Sequence, residues 1–216
     1  MRIFLAGATG VIGIRLVPLL VGAGHTVAGM TRSPAKASSL DQLGAHPVVC
    51  DVFDTPALTE AVVGFGPEMV MHQLTDLPDR VDELGAFAPR NDRIRLEGTE
   101  SLLAAAAAAG ARRFLAQSIA WRPPGRGEAL DRFEAMVLDA GGVVLRYGQL
   151  YGPGTYYESD LPPPPRIHVD EAARATVPLL DHPTGIVVLT DEGASSAAPA
   201  APPRAGRSPP PATWIT

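Results

Sequence analysis

The chain opens with MRIFLAGATGVIGIRLVPLLVGAGHTVAGM, residues 1–30, and this stretch decides the fold. Residues 2–6 are a short apolar run without helical spacing, which is typical of one buried parallel strand. Gly7, Gly10 and Gly13 then mark a turn, and apolar residues recur at helical spacing behind it. A strand, a glycine turn and a helix in that order predict a dinucleotide-binding unit, in which the pyrophosphate lies at the helix N-terminus. The alternative is a glycine turn that binds nothing.

The same stretch could also be a signal peptide, because it is apolar and follows a single arginine, Arg2. However, three regularly spaced glycines interrupt the apolar region that a signal peptide needs. No other stretch of the sequence approaches the apolar length of a membrane span. We therefore expect a cytoplasmic protein with no membrane partner.

The composition narrows the class of protein further. A chain of 216 residues can bury one substantial core. Its net charge of −5 disfavours nucleic acid as a partner, because phosphate binding needs a basic face. Cys50 is the only cysteine and the five histidines lie far apart, so we expect neither disulfides nor a metal site.

Strand and helix patterns alternate along most of the chain. Strands are predicted at residues 2–6, 26–30, 47–51, 69–72, 113–117, 143–146 and 186–190. Helices are predicted behind residue 13 and at residues 35–43, 55–63, 91–109, 128–140 and 169–180, and residues 77–90 are predicted to be a polar connection. This alternation predicts an α/β fold, a Rossmann-like doubly wound parallel sheet with helices on both faces. Residues 1–192 form this domain, and residues 193–216, rich in Ala and Pro, are predicted to be a flexible tail.

Several segments, in order along the chain, resemble the extended and atypical short-chain dehydrogenase/reductases, the NAD-dependent epimerase/dehydratase family. The segments are GATGVIG at 7–13, CDV at 50–52, EGT at 97–99, AQS at 116–118, LRYGQLYGPG at 145–154 and IHVDEAA at 167–173. The resemblance covers residues 1 to about 190. It implies a nicotinamide dinucleotide cofactor and a small-molecule substrate. A homodimer remains open, since oligomeric state cannot be deduced from the residues.

The chain also departs from that family. The family's redox chemistry normally uses Tyr-x-x-x-Lys, in which the lysine lowers the tyrosine pKa so that the phenol can transfer a proton. Lys36 is the only lysine here, and no tyrosine has a lysine four residues later. Arg95 stands where the central helix often carries an asparagine. The chain is shorter than extended members typically are, so we expect the substrate-capping region to be largely missing.

The end of the second strand bears on the choice of cofactor. A site that prefers NAD places an acidic residue there for the ribose 2′-hydroxyl, whereas an arginine suits a 2′-phosphate. Arg32 follows this strand, Lys36 comes one turn later, and the segment holds no acidic residue. NADP(H) is therefore favoured, with NAD as the other option. The alternative is that both cations merely face solvent in a turn.

The resemblance implies two sets of site residues. The set expected to bind the cofactor is Gly7, Thr9, Gly10, Val11, Ile12, Gly13, Arg32, Lys36, Asp51, Val52, Gln73, Leu74, Thr75 and Leu150. The set expected to act in catalysis is Ser118, Tyr147 and His168. Each catalytic candidate has a structural alternative: a helix-cap or turn serine, a tyrosine packed near the nicotinamide, and a histidine that orients a loop. Asp76, Glu128 and Asp131 are further candidate bases, with solvated surface as the simpler interpretation.

Three functions are consistent with these residues. The first is an NADP(H)-dependent oxidoreductase that acts on a small carbonyl-bearing metabolite through a non-standard active site. The second keeps the fold but is a non-redox lyase, isomerase or cyclase. The third is a dinucleotide-binding protein without catalytic activity. The intact glycine turn supports the first and third, while the missing tyrosine–lysine pair supports the second and third.

Overall fold

The computed structural model describes residues 1–123 and 127–198, which form ten strands and seven α-helices. The strands are β1 (Arg2–Ala6), β2 (Thr26–Thr31), β3 (His46–Val49), β4 (Met69–His72), β5 (Arg113–Ile119), β6 (Val143–Tyr147), β7 (Gln149–Tyr151), β8 (Arg166–His168), β9 (Gly185–Thr190) and β10 (Gly193–Ala197). The helices are α1 (Gly13–Gly22), α2 (Ala37–Gln42), α3 (Thr55–Phe65), α4 (Leu84–Arg93), α5 (Thr99–Ala108), α6 (Gly127–Asp139) and α7 (Val169–Thr176).

Eight strands form one sheet in the order β10-β9-β6-β5-β4-β1-β2-β3, and a separate parallel pair joins β7 to β8. All pairings in the large sheet are parallel except that of β10 with β9. This confirms the Rossmann-like doubly wound fold. The strand order reverses at β1, which lies between β2 and β4. In such sheets, ligands bind in the crevice at the carboxyl ends of the strands beside this reversal.

A hydrophobic cluster covers each face of the sheet. One cluster packs α1 and α7 against the sheet through residues such as Leu16 and Ala172. The other packs α3, α5 and α6 against the opposite face, with Phe4 and Phe133 among its largest members. Because both faces are covered, the central strands β1, β4 and β6 are apolar along most of their length, as their sequences predicted.

The main local difference from the prediction lies in residues 77–90. These residues were predicted to be a connection, but they contain a 3₁₀ turn, Val81–Glu83, and most of helix α4. A π-helical turn, Ile94–Gly98, then joins α4 to α5. Gly98 packs this turn against Val52, and a Cβ at that position would meet Val52 at an ordinary contact distance of 3.5 Å. The long helix predicted at 91–109 therefore begins earlier and is interrupted by a wider turn.

The structure differs from the predicted tail at its start. Residues Gly193–Ala197 form β10, which pairs antiparallel with β9 at the edge of the sheet. Its small side chains are mostly exposed, so main-chain hydrogen bonds rather than side-chain burial hold it in place. The rest of the predicted tail, residues 199–216 with Trp214 and Ile215, lies outside the described residues.

No helix in residues 1–123 and 127–198 has both the length and the apolar character needed to cross a bilayer.

Candidate active site at the carboxyl edge of the sheet

The glycine turn after β1 is built as the sequence pattern requires. Gly7 has φ of +88°, and a Cβ there would lie 2.6 Å from the carbonyl oxygen of Gln73. A Cβ on Gly13 would lie 2.1 Å from the Gly7 oxygen, so this glycine closes the turn against the helix. Gly10 differs: it is exposed, and only the Gly7 oxygen, at 3.2 Å, would meet its Cβ. The face of the turn at Gly10 is therefore open to a ligand.

The N-terminus of α1 is suited to an anion. Ile12 occupies the N-cap position, no side chain within the described residues caps the helix, and its first turn holds no acidic residue. The N–H groups of Ile14 and Arg15 donate to the carbonyl oxygens of Gly10 and Ile12, so the positive end of the helix dipole and the N–H groups of residues 11–13 are what this end offers a pyrophosphate. Val11 and Gly10 stand in front of this helix end, so the glycine turn and helix together fit a dinucleotide.

Arg15 on α1 holds the glycine turn to a distant loop. Its Nε donates to Asp170 at 2.6 Å, and its terminal nitrogens donate to the carbonyl oxygens of Val11, at 2.7 Å, and Pro153, at 2.6 Å. One guanidinium thus joins the glycine turn, the loop after β7 and the start of α7. Sequence reasoning missed this residue, because its three partners converge only in the folded chain.

The end of β2 carries the residues expected at the adenosine ribose. The hydroxyls of Thr9 and Thr31 lie 3.0 Å apart, which ties the glycine turn to this strand end. Arg32 is exposed and forms an ion pair with Asp76 at 3.9 Å. Lys36 is exposed in the 3₁₀ turn that follows. Both cations stand beside the crevice.

The residues after β3 divide into two roles. Asp51 is exposed, and its Oδ1 accepts a hydrogen bond from the Phe53 N–H at 3.0 Å. Val52 is fully buried, and its side chain packs against Gly98. Asp51 can thus present its carboxylate to a ligand, whereas Val52 can offer only its backbone.

A buried histidine, His72, forms hydrogen bonds that fix the end of β4. His72 Nδ1 accepts from the N–H of Leu74 at 3.2 Å, so its Nε2 carries the hydrogen and donates to Thr99 Oγ1 at 3.1 Å. Complete burial, together with the charge on Arg95, lowers the pKa of His72 to about 4. A neutral imidazole therefore fixes the loop of residues 73–75, in which Thr75 is exposed.

Gln73 in this loop is under-satisfied. It is buried, and its amide lies close enough to the Tyr147 hydroxyl for a hydrogen bond that opposes the rise in the Tyr147 pKa, although neither Nε2 nor Oε1 meets strict hydrogen-bond geometry among residues 1–123 and 127–198. It lies against Gly7 of the glycine turn, since a Cβ on that glycine would meet the Gln73 carbonyl group. Gln73 therefore joins the glycine turn, through its backbone, to the buried Tyr147, through its side chain.

Ser118 does not have the free hydroxyl that the resemblance implies. Its Oγ donates to Glu134 Oε1 at 2.6 Å, and it is only 5% exposed. Arg146 on β6 also donates to Glu134, from Nε at 2.9 Å, and hydrogen bonding to this carboxylate raises the pKa of the Arg146 guanidinium. Ser118 thus belongs to a buried network that joins β5, α6 and β6. This geometry favours the structural alternative for Ser118.

Tyr147 is equally enclosed. Thr176 uses its hydroxyl hydrogen to donate to the Ala172 carbonyl, so the Tyr147 hydroxyl donates to Thr176 Oγ1 at 2.6 Å. Burial raises the pKa of Tyr147 to about 12, although the hydrogen bond with Thr176 opposes the shift. A phenol with that pKa is a poor proton donor near neutrality. It fits the packing role better than the catalytic one.

His168 caps α7. Its Nδ1 accepts the N–H of Asp170 at 3.2 Å, and its ring packs on Tyr151 with centroids 5.2 Å apart. A Cβ on Gly152 would lie 2.4 Å from His168 Nε2, so the ring fills the space beside that glycine. His168 therefore orients a helix and a loop. Leu150, in the adjacent strand β7, is half-buried against the core.

Two residues that sequence reasoning undervalued lie at this edge. Asp76 was considered as a candidate base, but its carboxylate is held by Arg90 of α4, with Nε 3.0 Å from Oδ2 and a terminal nitrogen 3.1 Å from Oδ1. Arg90 was placed in a connection and given no role. Only the helical structure of residues 84–93 brings this arginine to the crevice.

Comparisons with known proteins agree with this architecture. Residues 7–132 match a family described as NAD(P)H-binding. The chain is 38% identical to a Streptomyces protein named 3-diazoavenalumate denitrifying reductase, over 92% of this chain and 78% of that protein. Their alignment spans 243 positions, more than the 216 residues of this chain, so the relative has segments that this chain lacks.

Solved structures share the fold at lower identity. UDP-glucose 4-epimerase from Thermus thermophilus, in complex with NAD, is 20% identical with a TM-score of 0.74, over 91% of this chain and 79% of that one. The same enzyme from Brucella ovis, also with NAD, is 20% identical with a TM-score of 0.71, over 90% and 79%.

Proposed function

This chain belongs to the family described as NAD(P)H-binding, and on that premise we propose that it is an NADP(H)-dependent reductase of a small molecule. The observation that carries the proposal is the open glycine turn with Arg32 beside it. The turn supplies the pyrophosphate site, and Arg32 supplies a cation where an NAD-preferring site has an acidic residue. The residues present therefore fit NADP(H).

Different residues of the protein would bind different parts of this cofactor. Gly10 leaves room for the pyrophosphate, and the N-terminus of α1 offers N–H groups and the positive end of its dipole. Asp51 is exposed where an adenine or ribose hydroxyl would be bound in such a fold. Bound NADPH would supply a hydride to the substrate, and the protein's contribution is to position the two.

The catalytic chemistry must proceed without the family's activated tyrosine. The chain contains no Tyr-x-x-x-Lys, and Tyr147 is neutral, buried and bonded to Thr176. A carbonyl that accepts a hydride becomes an alkoxide and needs a proton, which water or the substrate itself would have to provide here. An acceptor that starts with a positive charge needs no such proton.

We therefore favour an electron-poor, cationic acceptor over the simple carbonyl. The name of the Streptomyces relative describes reduction of a diazo compound with loss of its nitrogen. A diazonium cation that accepts one hydride yields one C–H bond and one N₂, so that atoms and charge balance without any proton donor. The absence of the tyrosine–lysine pair is consistent with this substrate class, and a carbonyl-bearing metabolite is the second candidate.

Cofactor binding is tested by titrating the purified protein with NADPH and NADH and following nucleotide fluorescence. We expect NADPH to bind more tightly. Arg32→Asp should weaken NADPH by about 1–3 kcal/mol, the scale of a charge-assisted contact, and leave NADH nearly unchanged. Lys36→Ala serves as a matched test of the second cation. Equal losses for both nucleotides in Arg32→Asp would contradict the 2′-phosphate assignment.

Activity is tested with NADPH and two probes, an aryl diazonium salt without a free hydroxyl group and an aromatic aldehyde. For the diazonium, we expect one NADPH consumed for each N₂ released and a rate with little dependence on alkaline pH. A reaction with the aldehyde alone would favour the carbonyl candidate. Product formation without any change in nicotinamide absorbance would instead support the non-redox lyase, isomerase or cyclase.

A further inference from the structure

Asp76 lies between two arginines that come from different elements. Arg90 of α4 holds both of its carboxylate oxygens, and Arg32, after β2, approaches Oδ1 at 3.9 Å. The Asp76 side chain is 12% exposed, whereas those of Arg32 and Arg90 are 48% and 56% exposed. One mostly buried carboxylate therefore pairs with two arginines whose side chains face the solvent.

This cluster lies across the candidate cofactor crevice. Asp76 follows β4 and Arg32 follows β2, and these two strands flank β1, whose carboxyl end is the glycine turn. The Arg32–Asp76 ion pair therefore joins the two sides of the turn. It lies on the same edge of the sheet as the phosphate-binding end of α1.

Two further contacts fix the cluster in place. The N–H of Asp76 donates to Oδ1 of the buried Asn91 at 3.1 Å. The Arg90 guanidinium lies over the ring of Phe87, 4.4 Å from its centroid. The carboxylate and one of its arginines are thus held before any ligand arrives, which reduces the entropy that binding must overcome.

The net positive charge of this cluster favours the binding of an anion such as a phosphate group. Two guanidinium groups and one carboxylate leave one net positive charge. Terminal nitrogens of both arginines contact the same oxygen, at 3.1 and 3.9 Å, so they lie within about 7 Å of each other. A phosphate group with several acceptor oxygens can bridge such a gap, and guanidinium groups are well matched to it.

We propose that Arg90 is a second cation for the 2′-phosphate of NADP(H), and that Asp76 is an internal anion that orients both arginines and competes with that phosphate. This inference rests on the proposed function, because it concerns the same cofactor site. It adds a specificity-determining residue from α4 to the one expected after β2. Discrimination between NADPH and NADH then depends on a pair of arginines rather than on Arg32 alone.

The test measures the dissociation constants of NADPH and NADH for the full chain and its variants. Arg90→Ala should weaken NADPH by about tenfold or more, as expected for a lost charge-assisted contact, and change NADH by less than about twofold. Arg90→Lys should recover part of the loss, since it keeps the charge without the forked geometry. Arg80→Ala is the matched control, because Arg80 is an exposed arginine whose ion pairs are with Asp82 and Glu83.

Asp76→Asn provides an independent measurement. It removes the internal anion and keeps both arginines, so NADPH should bind more tightly while NADH is unchanged. A melting curve for each variant shows that it is folded. Equal losses of NADPH and NADH in Arg90→Ala, or no loss of NADPH, would overturn the role of Arg90. Unchanged or weaker NADPH binding in Asp76→Asn would overturn the role of Asp76. If the wild-type protein binds neither nucleotide, the proposed function itself fails.

Discussion

The hydroxyl of Ser118 donates to Glu134 across 2.6 Å, and this bond directs it into the protein rather than toward a substrate. Glu134 is almost fully buried and also receives Arg146. A buried carboxylate must have its charge compensated and its oxygens hydrogen-bonded, and these two donors meet that need. The serine that resembles a catalytic group therefore helps to stabilise an ion pair between α6 and β6.

Ser118→Ala should lower the free energy of unfolding by about 1–3 kcal/mol, because it leaves the buried Glu134 carboxylate without one hydrogen bond. Denaturant unfolding measures this loss. Ser195→Ala on the exposed strand β10 is the control and should change stability little. We expect NADPH affinity and turnover to persist in Ser118→Ala. A fall in turnover at unchanged stability would restore Ser118 to a catalytic role.

Tyr147 should make the protein less stable at alkaline pH. Its pKa is raised from 10.0 to about 12 in the folded state, so the folded protein retains a proton that the unfolded chain loses. The resulting stability is complete below pH 10 and is lost at up to about 1.4 kcal/mol per pH unit as the pH rises toward 12. Tyr147→Phe should show a shallower loss over this range. Identical slopes in urea unfolding at pH 9 to 11 would contradict the assignment.

His72 should make the protein less stable at acidic pH. Its pKa is lowered from 6.5 to about 4, so between these pH values the unfolded chain binds a proton that the folded protein does not bind. Its contribution to stability is complete above pH 6.5 and falls by up to about 1.4 kcal/mol per unit as the pH drops toward 4. His72→Gln should be less stable at pH 7 but depend less on pH. Unfolding measured at pH 7, 6 and 5 compares the two slopes.

Two glycines of the same turn should behave differently. Gly13→Ala places a Cβ 2.1 Å from the Gly7 oxygen, so the turn must shift and the melting temperature should fall sharply. Gly10→Ala meets only the Gly7 oxygen at 3.2 Å, so the fold should survive while NADPH affinity drops. Calorimetry and nucleotide titration separate the two effects. Loss of stability without loss of affinity in Gly10→Ala would place the pyrophosphate elsewhere.

The sequence predicts those parts of the fold that depend on local residue patterns. Strand β1, the glycine turn and β4 lie where residue patterns placed them, because burial on both faces and the need for a tight turn leave few alternatives. Helix α4 was missed because Pro89 and many polar residues interrupt the usual helical pattern. Pro89 lies inside this helix, where it has no N–H to donate to the carbonyl oxygen of Gly85 four residues earlier.

The side-chain networks could not be predicted in the same way. Ser118 and Glu134 lie sixteen residues apart, and their contact depends on how α6 packs on the sheet. Arg15 meets Asp170 across 155 positions, and Arg90 meets Asp76 only because residues 84–93 are helical. Motif resemblance assigned Ser118 and His168 their usual roles, but it could not show which partners their polar atoms would find.

Strand β10 has a practical consequence for anyone who shortens this protein. A truncation at residue 192, where composition suggests that the domain ends, would remove the only antiparallel partner described for β9. The uncovered strand contains Ile186, Val187 and Leu189, so its free edge would invite strand-to-strand aggregation during expression. A truncation after Ala197 keeps β10 on the edge of the sheet. We expect that shortened protein to stay in solution, whereas the one that ends at residue 192 aggregates.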